Sequence, residues 1–187
     1  EQHRRALRAL QTGQPTERWV LKTPNHLWCL ETLLSFYPDA RLVWTHRDPG
    51  PVVTSLASLN TTLQRTFTDS SDPRAVGAEW KRKARVAVER GMAFDARSDP
   101  GWCVHVAYDE IMRDPVATIR RIYASFGETP CRLHEQRVEA WLRDRPQQAH
   151  GRHVYDPADF GWTPAQLAEE FADYRERFDV VPETTAS

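Results

Sequence analysis

The sequence lacks the marks of several large classes of protein. Its 187 residues carry 25 Lys and Arg against 26 Asp and Glu, so binding of nucleic acid through bulk positive charge is disfavoured. No run of about 18 apolar residues occurs, and no membrane span is expected. Cys29, Cys103 and Cys131 are odd in number and widely spaced, which fits neither a disulfide framework nor a zinc site. Free thiols of this kind are typical of a reducing compartment, and we expect a cytoplasmic protein.

Motifs of common hydrolases and nucleotide enzymes are missing too. The chain has no His-Glu-x-x-His metal motif, no Gly-x-Ser-x-Gly nucleophile elbow and no Gly-x-x-x-x-Gly-Lys-Ser/Thr loop. We therefore expect no metal site. The first residues, EQHRRALRAL, are too charged for a signal peptide. Because the chain has no initiator Met and opens directly in helix-like sequence, we expect it to be a fragment or a processed chain.

Strand-like and helix-like segments alternate along the chain. Apolar runs at 18–22, 41–46 and 102–107 predict strands. Helical periodicity or helix-start signals predict helices at 2–12, at 25–36, from 49, at 73–96, at 115–126, at 131–143 and at 163–178. This alternation, with helices in the majority, predicts an α/β fold with a short parallel sheet. The length predicts one domain over 1–187, with 182–187 as a disordered tail.

Residues at the end of the second predicted strand suggest an anion site. Arg47 follows the strand 41–46 and stands just before a helix that begins at Asp48-Pro49. Ligands of open α/β sheets bind outside the carboxyl ends of strands, and a helix N-terminus favours an anion. The Arg47 fork suits a phosphate, and Ser55 lies within two turns of the helix start, where its hydroxyl would donate to the same anion. Pairing of Arg47 with Asp48 or a surface carboxylate is the equally weighted alternative.

A second basic residue ends the first predicted strand. Lys22 closes the strand 18–22, Asn25 is a suitable helix N-cap, and His26 falls in the first helical turn. Lys22 would then point to the same sheet edge as Arg47 and complete an anion site with it. A solvated lysine and a surface or capping histidine are the ordinary alternatives for Lys22 and His26.

These motifs together resemble a known family. The segments LKTPNH, PDARLVWTHRDP and VVTSLASL follow one another as in the mostly bacterial branch of the PAPS-dependent sulfotransferases. Arg47 and Ser55 are spaced as in that family's 3′-phosphate motif. VAYDEIMRDPVATIRRIYASFG resembles its segment near the adenine, and GRHVYDPADFGWTPAQLAEEFADYRERF its C-terminal basic loop and last helix. The resemblance covers nearly the whole chain and is to the C-terminal part of the family.

The resemblance implies a fold, a reaction and a set of site residues. The fold would be part of a helix-rich, P-loop-like, three-layer domain. The reaction would move a sulfuryl group from PAPS to a hydroxyl or amine and leave PAP. Arg47 and Ser55 would hold the 3′-phosphate, Tyr108 would lie near the adenine, and Arg152 would close over the 3′-phosphate. Lys22 would lie near the 5′-phosphosulfate as a catalytic residue.

Two departures from the family pattern bear on activity. In cytosolic relatives the catalytic His stands two residues after the lysine, whereas here Pro24 has that place and the histidine comes at His26. His26 is nevertheless our candidate for the catalytic base. The family's Gly-rich phosphosulfate-binding loop has no counterpart in this sequence. We expect it upstream of Glu1, together with much of the acceptor pocket, and expect this chain alone to be weak or inactive.

Two other functions stay open at this point. One is a P-loop-related nucleotide- or phosphate-binding protein, or a kinase-like fragment, without sulfuryl transfer. The other is a non-enzymatic helical interaction module, suggested by the basic face of the helix 73–97. The acceptor, whether a carbohydrate, a lipid or a small alcohol, and the oligomeric state cannot be read from the residues.

Overall fold

A short parallel sheet lies among helices. The structure is a computed structural model that describes residues 1–13, 18–145 and 156–183. Strand β1 (Leu42–His46) pairs in parallel with β2 (Cys103–Ala107), with Leu42 opposite Cys103 and His46 opposite Ala107. The α-helices are α1 (Gln2–Gln11), α2 (Leu30–Phe36), α3 (Pro49–Arg65), α4 (Pro73–Arg97), α5 (Tyr108–Arg113), α6 (Pro115–Ser125), α7 (Arg132–Asp144), α8 (Pro164–Glu170) and α9 (Ala172–Phe178). Short 3₁₀ helices span Pro24–Trp28 and Pro157–Phe160. The predicted class, a helix-rich α/β fold with a short parallel sheet, is confirmed.

Helix starts follow the local sequence closely. Asp48, Asp72 and Asp114 each cap a helix whose first residue is proline, and each carboxylate accepts a backbone N–H of the first turn. Thr163 and Gln166 form the predicted capping box at the start of α8. These helices begin where expected because a cap needs only neighbouring residues.

The predicted strand at 18–22 is wrong. Residues 18–23 have no regular structure, and Val20 is 88% exposed. A strand needs a neighbour that accepts its backbone hydrogen bonds, and among the described residues β1 and β2 pair only with each other. The segment is apolar enough for a strand but has no such partner. Lys22 therefore does not stand at a sheet edge.

Two predicted helices are each divided. The segment 25–36 becomes the 3₁₀ helix Pro24–Trp28 and α2, with Cys29 between them in a non-helical conformation. The segment 163–178 becomes α8 and α9, divided at Phe171, which is fully buried. Helical periodicity predicts an apolar face but does not show where packing interrupts a helix.

The core has two parts that meet at α4. One joins α3 to the C-terminal helices through Val53, Ala57, Phe160, Trp162, Leu167 and Phe171. The other covers the sheet with Trp44, Cys103 and Tyr174, and Val88 of α4 packs against both. Gly91 lets α4 approach the sheet, since a Cβ there would stand 2.6 Å from Trp44 Cη2.

The chain turns back toward β1 after α9. Asp179 has a φ of 49°, the left-handed conformation that ends the helix. The backbone N–H of Glu183 then donates to Asp48 Oδ2 at 2.8 Å. The predicted disordered tail begins at 182; its residues 184–187 lie outside the described residues. The C-terminal segment thus reaches the carboxyl edge of the sheet.

Candidate functional site

Two of the predicted site residues meet at the carboxyl edge of the sheet. His46 and Ala107 are register partners, so the next residues, Arg47 and Tyr108, leave the sheet side by side. Cζ of Arg47 lies 4.2 Å from the centroid of the Tyr108 ring. A guanidinium over an aromatic face is attracted by the ring quadrupole. The sheet register thus explains how residues far apart in sequence form one surface.

The Arg47 guanidinium holds a carboxylate with both arms of its fork. Nε donates to Glu183 Oε1 at 2.5 Å and Nη2 donates to Oε2 at 2.8 Å. This hydrogen bonding, opposed by partial burial, raises the pKa of Arg47 above its ordinary value. The pairing expected as the alternative to anion binding is therefore present, but with Glu183 and not Asp48. It also shows that the fork is oriented for two-point contact with an oxyanion.

Asp48 caps the N-terminus of α3, where an external anion was expected to bind. Its side chain is buried, and Oδ1 accepts the Gly50 N–H at 3.1 Å. Nη2 of Arg175 donates to the same oxygen at 2.5 Å. The positive end of the α3 dipole is thereby matched by a carboxylate of this chain. A bound anion would meet Arg47 and not the helix terminus.

Ser55 lies half-buried on α3, within two turns of the start of that helix at Pro49. The hydroxyls of Thr54 and Thr61, on the same helix, donate to the carbonyl oxygens four residues earlier. Within the part of the chain that the structure describes, the Ser55 hydroxyl has no such bond. It is therefore available as a donor to a ligand.

A chain of hydrogen-bonded polar side chains, buried at Tyr174 and His46 and partly exposed at His105, runs behind Arg47. The Tyr174 hydroxyl lies 2.8 Å from His46 Nδ1, and His46 Nε2 lies 2.8 Å from His105 Nδ1. His105 Nε2 lies 3.2 Å from the Asp95 carboxylate. Burial first, and His105 second, lower the pKa of His46 to about 3. His46 is therefore neutral at pH 7.

One arrangement of protons satisfies this whole chain. His105 Nε2–H donates to Asp95, which leaves Nδ1 to accept from His46 Nε2–H. His46 Nδ1 then accepts the Tyr174 hydroxyl proton. Burial acts to raise the pKa of Asp95, but hydrogen bonds from Arg177 and Trp102 outweigh it and the pKa falls below its ordinary value. Asp95 is thus a carboxylate that anchors the chain.

The side chains that contact His46 and Arg47 could not be predicted from the sequence. His46 and His105 are strand residues that meet because the two strands are adjacent. Tyr174 and Glu183 are 128 and 136 residues from their partners, His46 and Arg47. Only the fold brings them to the sheet.

Lys22 and His26 are not joined to this surface by any contact within the described residues. Lys22 is exposed, and His26 is half-buried in the 3₁₀ helix Pro24–Trp28. Burial, and then the nearby His3, lower the pKa of His26, so its imidazole is neutral at pH 7. Arg152 lies outside the described residues.

Two surface cavities lie away from the residues at the strand ends. One, of about 220 Å³, is lined by Trp28, Arg82, Lys83, Val86 and Arg90. A second, of about 270 Å³, adjoins it along α4 and the 3₁₀ helix Pro24–Trp28. Neither includes Arg47, Ser55 or Tyr108, whose site is a surface formed at the strand ends.

The described residues hold neither a metal-binding cluster nor a membrane-spanning helix. Within 1–13, 18–145 and 156–183, no group of three or more His, Cys, Asp and Glu side chains could hold a metal ion. Among the described helices, none is long and apolar enough to cross a bilayer.

Solved structures with the same fold are sulfotransferases. The chain superposes on sulfotransferase STF9 from Mycobacterium avium with a TM-score of 0.86 and 34% identity, over 96% of this chain and 46% of that one. For STF1 from Mycobacterium tuberculosis H37Rv the TM-score is 0.65 and the identity 29%, over 83% of this chain and 40% of that one.

Curated relatives are similar over about two thirds of this chain. Omega-hydroxy-beta-dihydromenaquinone-9 sulfotransferase Stf3 from Mycobacterium tuberculosis is 26% identical over 132 residues, which is 67% of this chain and 32% of the relative. A putative protein-tyrosine sulfotransferase from Caenorhabditis briggsae is 26% identical over 110 residues, 59% of this chain and 37% of the relative. The chain thus spans about a third of the length of these relatives.

The match to a family model covers most of the predicted site residues. The model described as the sulfotransferase family matches residues 2–130, a range that contains Lys22, His26, Arg47, Ser55 and Tyr108. The fold of STF9 extends the likeness over the C-terminal helices. On sequence and fold together, this chain belongs to the sulfotransferase family.

Proposed function

We propose that this chain forms the 3′-phosphate-binding part of an enzyme that transfers a sulfuryl group from PAPS to an acceptor. The observation that carries the proposal is the two-point grip of Arg47 on the Glu183 carboxylate at the carboxyl edge of the sheet. A phosphate presents oxygens with the same spacing and more charge, so the same fork fits it. Ser55 adds a hydroxyl without a partner among the described residues.

The nucleotide would be held on two sides of Arg47. Arg47 and Ser55 would contact the 3′-phosphate, and Tyr108, against the Arg47 guanidinium, would lie on the adenine side. Arg152 would close over the 3′-phosphate. The net charge of −1 agrees with a site made by local clustering of basic residues. Such a site would bind PAP, the product, as well as PAPS.

Turnover would need further groups. PAPS supplies a sulfuryl group whose S–O bond to the 5′-phosphate breaks as a new S–O bond to the acceptor oxygen forms. His26, neutral at pH 7, would take the acceptor proton, and Lys22 would stabilise the leaving 5′-phosphate. The sequence has no Gly-rich loop for the phosphosulfate. We therefore expect this chain to bind PAP. Turnover is expected only of a chain that also carries that loop.

The acceptor would be a hydroxyl on a small or lipid-like molecule. Stf3, a relative, is named for a hydroxylated menaquinone and the Caenorhabditis relative for protein tyrosine. Both names denote transfer to oxygen.

The proposed compartment is the reducing cytoplasm, in keeping with exposed free thiols at Cys29 and Cys131. Fractionation of cells that produce the protein checks the compartment.

Titration calorimetry with PAP tests the proposal. We expect PAP to bind, and Arg47→Ala to weaken binding by about 10- to 100-fold, because a hydrogen-bonded charge contact is lost. Ser55→Ala should weaken it less. Arg120→Ala is the matched control, since Arg120 holds Glu135 with the same two-point geometry on α6. Binding of ATP but not PAP, or an Arg47→Ala variant with unchanged affinity, would refute the proposal.

A further inference from the structure

Both neighbours of Arg47 in the chain are held by consecutive residues of α9. Tyr174 bonds to His46, the residue before Arg47, at 2.8 Å. Arg175 donates to Asp48, the residue after it, from Nη2 at 2.5 Å and Nε at 3.2 Å. The triplet at the end of β1 is therefore bracketed by one turn of a helix more than 120 residues away.

The His46–Tyr174 contact is buried and the Asp48–Arg175 contact is partly buried, whereas the Arg47 side chain is more exposed than either. His46, Asp48 and Tyr174 are 4%, 3% and 4% exposed, and the Arg47 side chain is 40% exposed. Hydrogen bonds shielded from solvent are stronger than those at the surface. The backbone on each side of Arg47 is thus fixed, and its guanidinium projects from a rigid base.

We propose that Tyr174 and Arg175 are positioning residues of the nucleotide site, which fix Arg47 by holding His46 and Asp48. The proposal rests on the proposed 3′-phosphate role of Arg47. Two-point contact with an oxyanion tolerates little displacement, so a small shift of Arg47 would cost affinity.

The opposing explanation is that α9 only stabilises the fold. Tyr174 belongs to the core beside Trp44 and Cys103, so its loss would also lower stability. Arg85 separates the two explanations. Its side chain, 22% exposed, holds Asp173, the α9 residue before Tyr174, with two hydrogen bonds at 2.6 and 2.7 Å. It anchors the same helix without touching the neighbours of Arg47.

The experiment measures PAP affinity by calorimetry for the chain and its variants. Tyr174→Phe keeps the ring, and Arg175→Lys keeps the charge and loses the planar fork. Each should raise the Kd for PAP by about 3- to 10-fold, the effect of one hydrogen bond. Arg85→Lys, the matched control, should leave Kd within about twofold, since it loses a similar pair at a distance from the site. Circular dichroism confirms that each variant is folded.

A double-mutant cycle with Arg47→Ala completes the test. If Tyr174 acts through Arg47, then Tyr174→Phe should have no further effect on PAP affinity once Arg47 is alanine. Equal losses in Arg85→Lys and Arg175→Lys, or additive losses in the cycle, would overturn the positioning role and leave the proposed function intact. Failure of the unaltered chain to bind PAP would overturn both.

Discussion

Glu183 occupies the fork that we propose for the 3′-phosphate. Both of its carboxylate oxygens accept from Arg47, so a phosphate bound there would have to displace it. Glu183→Gln keeps the size of the side chain and removes its charge. We therefore predict that Glu183→Gln binds PAP more tightly than the unaltered chain.

The size of the gain follows from exposure. The side chains of Arg47 and Glu183 are 40% and 34% exposed, so water screens their attraction. Pairs of this kind contribute about 0.2–1 kcal/mol, which sets a gain in PAP affinity of roughly 1.4- to 5-fold. Removing a negative charge beside the phosphate acts in the same direction. The gain should shrink as salt is raised from about 0.05 to 0.5 M, because the Debye length shortens.

Calorimetry at both salt concentrations is the assay, and Glu135→Gln is the control. Glu135 accepts from Arg120 Nε at 2.6 Å and Nη2 at 2.8 Å, nearly the geometry of the Glu183 pair, and lies away from the strand ends. Glu135→Gln should leave PAP affinity unchanged. Unchanged or weaker binding by Glu183→Gln, or an equal gain in Glu135→Gln, would refute the reasoning.

Three further predictions concern stability and catalysis. In the folded chain, the pKa of about 3 keeps the His46 imidazole neutral, whereas in the unfolded chain the same imidazole binds a proton below about pH 6.5. The free energy of unfolding should therefore fall as the pH is lowered from 6.5 toward 3, by up to about 1.4 kcal/mol per pH unit. In urea unfolding experiments, the free energy of unfolding of His46→Gln should fall less steeply as the pH is lowered. An unaltered pH dependence would contradict this. Gly91→Ala, with its Cβ 2.6 Å from Trp44, should lower the free energy of unfolding by about 1–3 kcal/mol, and Gly13→Ala, in open space, should not. In a chain that also carries a phosphosulfate-binding loop, His26→Ala should lower kcat by about 10²- to 10⁴-fold while PAP affinity stays the same; a normal kcat would exclude His26 as base.

Much of this site could be predicted from short segments of the sequence. Asp48-Pro49 and Asp72-Pro73 start helices because an N-cap needs only the residues beside it. Arg47 follows a strand of five apolar and polar residues that the sequence predicts to within one residue. Its position beside Tyr108 follows once β1 and β2 are taken as parallel neighbours.

The error at 18–22 marks the limit of such reasoning. The segment has strand-like residues, but strand formation depends on a partner that accepts its backbone hydrogen bonds. Apolar periodicity does not report on partners. The same holds for the division of the last helix at Phe171, which is set by burial against α3 and its neighbours.

The sequence by itself therefore determined strands β1 and β2, the helix starts at Asp48, Asp72 and Asp114, the family resemblance and the candidate residues Arg47, Ser55 and Tyr108. Tertiary structure alone decided what holds Arg47: Glu183 on its guanidinium, and Tyr174 and Arg175 on its two neighbours. The physical reason is distance along the chain. Capping and strand ends depend on residues a few positions apart, whereas these contacts join residues 127 to 136 positions apart and exist only when α9 packs on the sheet.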